Sequence, residues 1–134
     1  MSDERARRIL IAHPEPHIRS RLAALANQAG YAATEVAGAA SASREIPRGD
    51  WTAFIFALDL GDGSAADLLT VMCQCRYRIA TIVVSDEWEE RPDAEAVRNL
   101  ADACLPPSAP PEEFVRALLD AILRAAPSRT WRAA

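Results

Sequence analysis

The sequence contains no lysine: all fifteen of its basic residues are arginine. Schiff-base chemistry and a phosphate-loop lysine are excluded at the outset. Glycine is scarce, at five in 134 residues, and Gly61-x-Gly63 is a turn too short for a dinucleotide fingerprint. No Gly-x-Ser-x-Gly elbow exists, and Ser64 and Ser85 have no histidine beyond the first loop to activate them. Three cysteines, an odd number, read as reduced thiols rather than a disulfide framework. The apolar runs, such as residues 79–84, are only of strand length, so no membrane span is expected. The opening MSDERARRIL lacks the apolar stretch of a secretory signal, which predicts a cytoplasmic location. A formal charge of −4 argues against nucleic-acid binding through a broad basic footprint. What is present is ordinary for one soluble domain: half the residues are hydrophobic and a quarter charged.

Along the chain, apolar runs alternate with amphipathic ones. Residues 7–12 predict a buried strand that stops at His13-Pro14-Glu15-Pro16, because prolines on both sides of Glu15 forbid a continuing ladder. Ile18, Leu22, Leu25 and Ala29 recur at helical spacing, with Gly30 placed to end the helix. Residues 32–37 give a second, weakly patterned strand, and residues 38–46 a short helix broken by Pro47, Gly49 and Asp50. Residues 51–60, WTAFIFALDL, are apolar on both faces, as a covered parallel strand requires. Gly61 to Ser64 form a turn, with Ser64 or a neighbour capping a helix through Leu68, Leu69 and Met72. A strand over 79–84, a helix over 92–100 and a short strand over 103–105 follow. Beyond the proline-rich turn 106–111, Glu112 and Glu113 favour the start of a helix running to Ala125. Residues 1–126 make one domain, and residues 127–134 a short polar tail with Trp131. Strand then helix, five times over, predicts an α/β fold: a doubly wound, five-stranded parallel sheet with helices on both faces. Ligands of such sheets sit beyond the carboxyl ends of the strands, which directs attention to loops 13–17, 58–64, 85–90 and 105–109.

Local constellations have bland readings. His13, Glu15 and His17 alternate like metal ligands, but zinc needs three or four convergent donors and no further partner is evident; a proline-stiffened loop accounts for them. Cys73 and Cys75, at a helix end, diverge by about 200°, which argues against a chelating pair. Cys104, on a predicted strand, reads as core. Arg76, Tyr77 and Arg78 form a small basic and aromatic spot of the kind a solvated turn carries.

Three stretches resemble a bacterial response-regulator receiver domain, a CheY-like fold, over about residues 7–125. ILIAHPEPHIRSRLAALANQAGY is similar to the family's opening strand and helix. FIFALDLGDGSAADLL resembles its third strand and loop. ADACLPPSAPPEEFVRALLDAIL resembles its fifth strand and last helix. The resemblance implies phosphoryl transfer to an aspartate ending the third strand. It implies carboxylates after the first strand to hold magnesium, a lysine after the fifth, and a hydroxyl after the fourth that senses the phosphoryl group. Carried over by position, the acidic pair falls on His13 and Pro14, the phosphoacceptor on Ala57, the hydroxyl on Ser85 and the lysine on Pro107, or Pro106 after a one-residue slip. The aromatic switch position falls on Cys104. Only Ser85 keeps the family's chemistry, so the expectation is a degenerate pseudo-receiver, not an enzyme, with no cofactor and no metal.

Three functional readings stay open. The first is a phosphorylation-independent interaction module that binds a histidine kinase, a phosphotransfer protein or another regulator. Its candidate contacts are Ile18, Trp88, Pro106 and Pro110, and a homodimer is possible. Trp88, among Asp86, Glu87, Glu89 and Glu90, is either a binding anchor or a plug over the emptied pocket. The second is a residual phosphoacceptor at Asp59, which shares a strand face with Ala57; Glu15 and Asp62 are the other residual acidic groups. The third is a small-ligand sensor using His13, Ser85 and Asp59 in the vacated pocket.

Overall fold

The computed structural model describes residues 7–72, 79–86 and 94–133. Its elements are β1 (Arg8–Ala12), α1 (Pro16–Gln28), β2 (Ala32–Val36), α2 (Ala39–Glu45), a 3-10 turn (Ile46–Arg48), β3 (Trp51–Ala57), α3 (Ala65–Met72), β4 (Ala80–Val84), α4 (Ala94–Leu100), β5 (Ala103–Leu105) and α5 (Pro111–Ala133). The strands form one parallel sheet in the order β2-β1-β3-β4-β5. This is the five-stranded α/β arrangement expected from the strand–helix alternation. Cys73, Cys75, Arg76, Tyr77, Arg78 and Trp88, singled out above, lie outside the described residues.

Every residue of β3 and β4 is buried, because helices cover the sheet on both sides. Leu10, Phe54, Phe56 and Val83 pack with Ala42 of α2, Leu68 and Leu69 of α3 and Val97 of α4. Ile9, Ile11, Ile55 and Ile82 meet Leu22 and Leu25 of α1 and Phe114 and Leu118 of α5. At the start of β3, Trp51 is 1% exposed. Its indole N–H donates to the carbonyls of Glu45 (3.0 Å) and Ile46 (3.2 Å), and the Arg8 guanidinium lies 4.5 Å from its ring centroid. A Cβ on Gly49 would come within 2.8 Å of that guanidinium, so glycine there makes room for the stack. No helix among the described residues is long and apolar enough to cross a membrane.

Two boundaries differ from the sequence reading. β3 ends at Ala57, not Leu60. The Leu58 N–H still reaches the Val84 carbonyl (3.2 Å), but that of Leu60 turns to Gly63 (3.0 Å). Leu58 and Leu60 are buried all the same, so their apolar character marks a packed loop and not a ladder. At the other end of the chain, α5 runs to Ala133. The stretch expected as a short tail continues the helix, and the one ladder bond Pro127 forfeits does not stop it.

Candidate functional site at the carboxyl edge of the sheet

The chain leaves β1 for β2 on one side and returns to β3 on the other, which puts the fold's switch point between the carboxyl ends of β1 and β3. The register sets Ala12 beside Phe56, Ala57 beside Val84, and Val84 beside Leu105. The next residues are tied along the same edge. The His13 N–H donates to the Val36 carbonyl (3.2 Å) and the Ser85 N–H to the Leu105 carbonyl (3.0 Å). His13, Ala57, Ser85, Pro106 and Pro107 thus occupy one edge of the sheet. Ala57 is 5% exposed; it ends β3 with a methyl group, which can neither bind a cation nor attack an electrophile.

His13 is buried, whereas Pro14, Glu15 and His17 are exposed. The His13 Nδ1 accepts the Glu15 N–H (3.1 Å), and its carbonyl accepts from Arg19 Nη1 (2.8 Å). Arg19 also meets Glu35 of β2, 3.5 Å from Nε to Oε1. Burial holds the His13 imidazole below the usual histidine range; Glu15 draws it back, and Arg19 and His17 push it further down. Glu15 and His17 approach to 3.9 Å, yet among the described residues no group of three metal-ligating side chains converges. Cys104 is half-buried on β5, and burial pushes its thiol up, with Arg98 opposing, which works against a reactive thiolate.

The loop carboxylates are held on backbone amides. Asp59 has left the strand: it is exposed, bridges to Ser64, and accepts the N–H of Gly61 (2.9 Å), whose φ of +84° suits glycine. The same-face relation to Ala57 expected of a strand reaching Leu60 is lost with the shorter strand. Asp62 accepts the amides of Ala39 (2.7 Å) and Ala40 (3.1 Å), capping α2 from another loop because Gly38, the residue before that helix, has no side chain to do it. A Cβ on Gly38 would lie 2.7 Å from the Asp62 carboxylate. The Ala39 and Ala40 amides hold the Asp62 carboxyl below the usual range. A depressed folded value gives stability that is present above the unfolded pKa of 3.8 and lost as pH falls through the folded one. Asp62→Ala is therefore expected to lower the melting temperature by a few degrees at pH 7, with the two proteins converging as pH falls through the folded value; thermal melts followed by circular dichroism from neutral into acid pH check it. Ser64 caps α3 as expected, exchanging bonds with Asp67 in a capping box.

Sequence reasoning missed Arg21. From α1 its guanidinium donates to the carbonyls of Pro107 and Ala109 (2.8 Å for the latter), fastening the β5–α5 loop. Of the other partner-binding candidates, Ile18 is half-buried against the α1 and α5 core, and Pro106 and Pro110 are exposed.

No protein-family model matches the chain, and no curated protein does. Solved structures do. A receiver domain of the CheY type from Methanospirillum hungatei JF-1 superposes with a TM-score of 0.77 at 18% identity, over 90% of this chain and 97% of that one. The fold is that of a CheY-like receiver domain. The receiver domain of a sensor histidine kinase from Pseudomonas aeruginosa PAO1, with magnesium coordinated in its active-site cleft, aligns with a TM-score of 0.76 and 20% identity over 87% and 98% of the two chains. A sensor protein from Polaromonas sp. JS666 gives 0.76 and 21% over 88% and 97%. The receiver topology makes the carboxyl edge described above the place to look for function, and its side chains decide what that edge does.

Proposed function

We propose that the chain is a signalling interaction module on a receiver scaffold that works without phosphoryl transfer. The reading rests on one observation: the residue ending β3 at the switch point is Ala57, a buried methyl group. The rest of the edge agrees. His13 and Pro14 follow β1, Pro106 and Pro107 follow β5, and the chain has no lysine to neutralise a phosphoryl group. Asp59 and Asp62 bind backbone amides, which supports a loop-shaping role for both. The partner is a signalling protein such as a histidine kinase, a phosphotransfer protein or another regulator, docking on the Ile18 side of α1 and on loop 106–110.

Intact mass after incubation with acetyl phosphate and magnesium tests the proposal. The expected result is an unmodified chain under conditions that phosphorylate an ordinary receiver. A phosphoryl group that is gained by the wild type and absent from Asp59→Ala would overturn it and make Asp59 the acceptor.

A further inference from the structure

Helix α1 starts on a hydrogen bond that only one protonation state of a side chain can make. Glu15 is the residue before the helix and has no capping bond from its own side chain. Its N–H donates instead to Nδ1 of His13 at 3.1 Å. Pro14 and Pro16 have no N–H, so this amide is the one backbone donor between the two histidines. Nδ1 accepts only when it carries no proton, which places the proton of the neutral ring on Nε2. We infer that His13 is a proton-operated latch on the start of α1: a proton arriving at Nδ1 sets two donors against each other and releases the Glu15 amide.

Three charged groups act on the ring, Glu15 raising its value and Arg19 and His17 lowering it. Glu15 and His17 lie in the loop and the first turn of α1. Arg19, one turn on, holds the His13 carbonyl and is itself paired with Glu35 of β2. The other carboxylates of the carboxyl edge have their own settings: Asp59 and Asp62 accept the amides of Gly61 and of Ala39 and Ala40, and Asp86, after β4, is exposed. Burial, with Arg19 and His17, outweighs Glu15 and holds the ring below its ordinary value of 6.5. Its contribution to stability is complete above 6.5 and is lost as pH falls through the folded value. The latch is closed at neutral pH and opens on the acid side. The inference concerns the β1–α1 junction and holds whether or not the chain accepts phosphate.

Proton–nitrogen correlation spectra of the 134-residue chain test it. The Glu15 amide resonance is expected to move with the His13 ring titration, sharing a midpoint below 6.5, and the ring nitrogens at about pH 7.5 should show Nδ1 unprotonated. In His13→Asn the side-chain oxygen accepts the same N–H without titrating, so the resonance should stay fixed from about pH 7.5 to about pH 5. A Glu15 amide that ignores the ring titration overturns the inference, as does a ring protonated at Nδ1 near neutral pH. The same acid response in His13→Asn would also overturn it, assigning the effect to His17. Should His13→Asn fail to fold, the wild-type ring and amide titrations decide alone.

Discussion

Replacing Ala57 with aspartate is expected to destabilise the chain by about 2–3 kcal/mol at pH 7 without making it a phosphoacceptor. The position is 5% exposed and packs in the layer of Phe54, Phe56 and Leu58, where an ionised carboxylate loses its hydration. The neighbouring strand ends supply His13 and Pro14 after β1 and Ser85 and Asp86 after β4; none is a cation that could pair with it, since the His13 ring is held toward its neutral form. Burial raises the folded pKa of the new group above its unfolded value near 3.9. The deficit is therefore absent below about pH 4, grows as pH rises through that value, and is complete above the folded pKa. Melting temperatures of wild type and Ala57→Asp should differ by about 10 °C at pH 7 and by much less at pH 4. With acetyl phosphate and magnesium, the variant should keep its unmodified mass. A variant that gained a phosphoryl group would show that a single carboxylate at the end of β3 restores the reaction, and that Ala57 alone had silenced it.

Trp51→Ala should be the most damaging single change at the opposite end of the same strand, costing about 3–5 kcal/mol out of a total of about 5–15 kcal/mol for a domain of this kind. Three things go at once. The buried indole leaves a cavity beside Phe54, whose ring centroid lies 6.4 Å away. The carbonyls of Glu45 and Ile46 lose their donor. Arg8 loses the ring beneath its guanidinium. Trp51→Phe keeps most of the volume and the aromatic face and removes only the N–H, so its cost should be about 1–2 kcal/mol. Urea denaturation followed by circular dichroism separates the two. Equal losses in both variants would mean that the indole N–H, not the packing, fixes the turn between α2 and β3.

The parallel sheet and its two helix layers were legible because β3 and β4 are continuous apolar runs, and a strand buried on both faces has one natural setting. β2 was faint for the complementary reason. It lies at the sheet edge, with Ala32 and Glu35 exposed, so its sequence carries half a strand's signal. The end of β3 was misplaced because Leu58 and Leu60 are as buried as strand residues, and hydrophobicity reports burial rather than pairing. At the site, His13 and Ser85 directly follow runs read as strands, whereas Ala57 was placed by the family resemblance, since the apolar pattern carried the third strand on to Leu60. The engagement of Asp62 could not, although its signal was present: Gly38 opens α2 without a capping side chain, and something else had to supply the oxygen. The role of Arg21 left no local trace, because its acceptors lie 86 and 88 residues away.

That separation has a consequence for how the chain comes to be folded. Four of the six residues from Pro106 to Pro111 are prolines, so the loop carries more carbonyls than N–H groups to match them, and Arg21 makes up part of the shortage. A ribosome delivers Arg21 in the first sixth of the chain and its acceptors in the last third. The first helix can coil, and can bury Leu22 and Leu25 against β1, long before its guanidinium has anything to hold. The bond that fastens the earliest helix is among the last that a nascent chain can make.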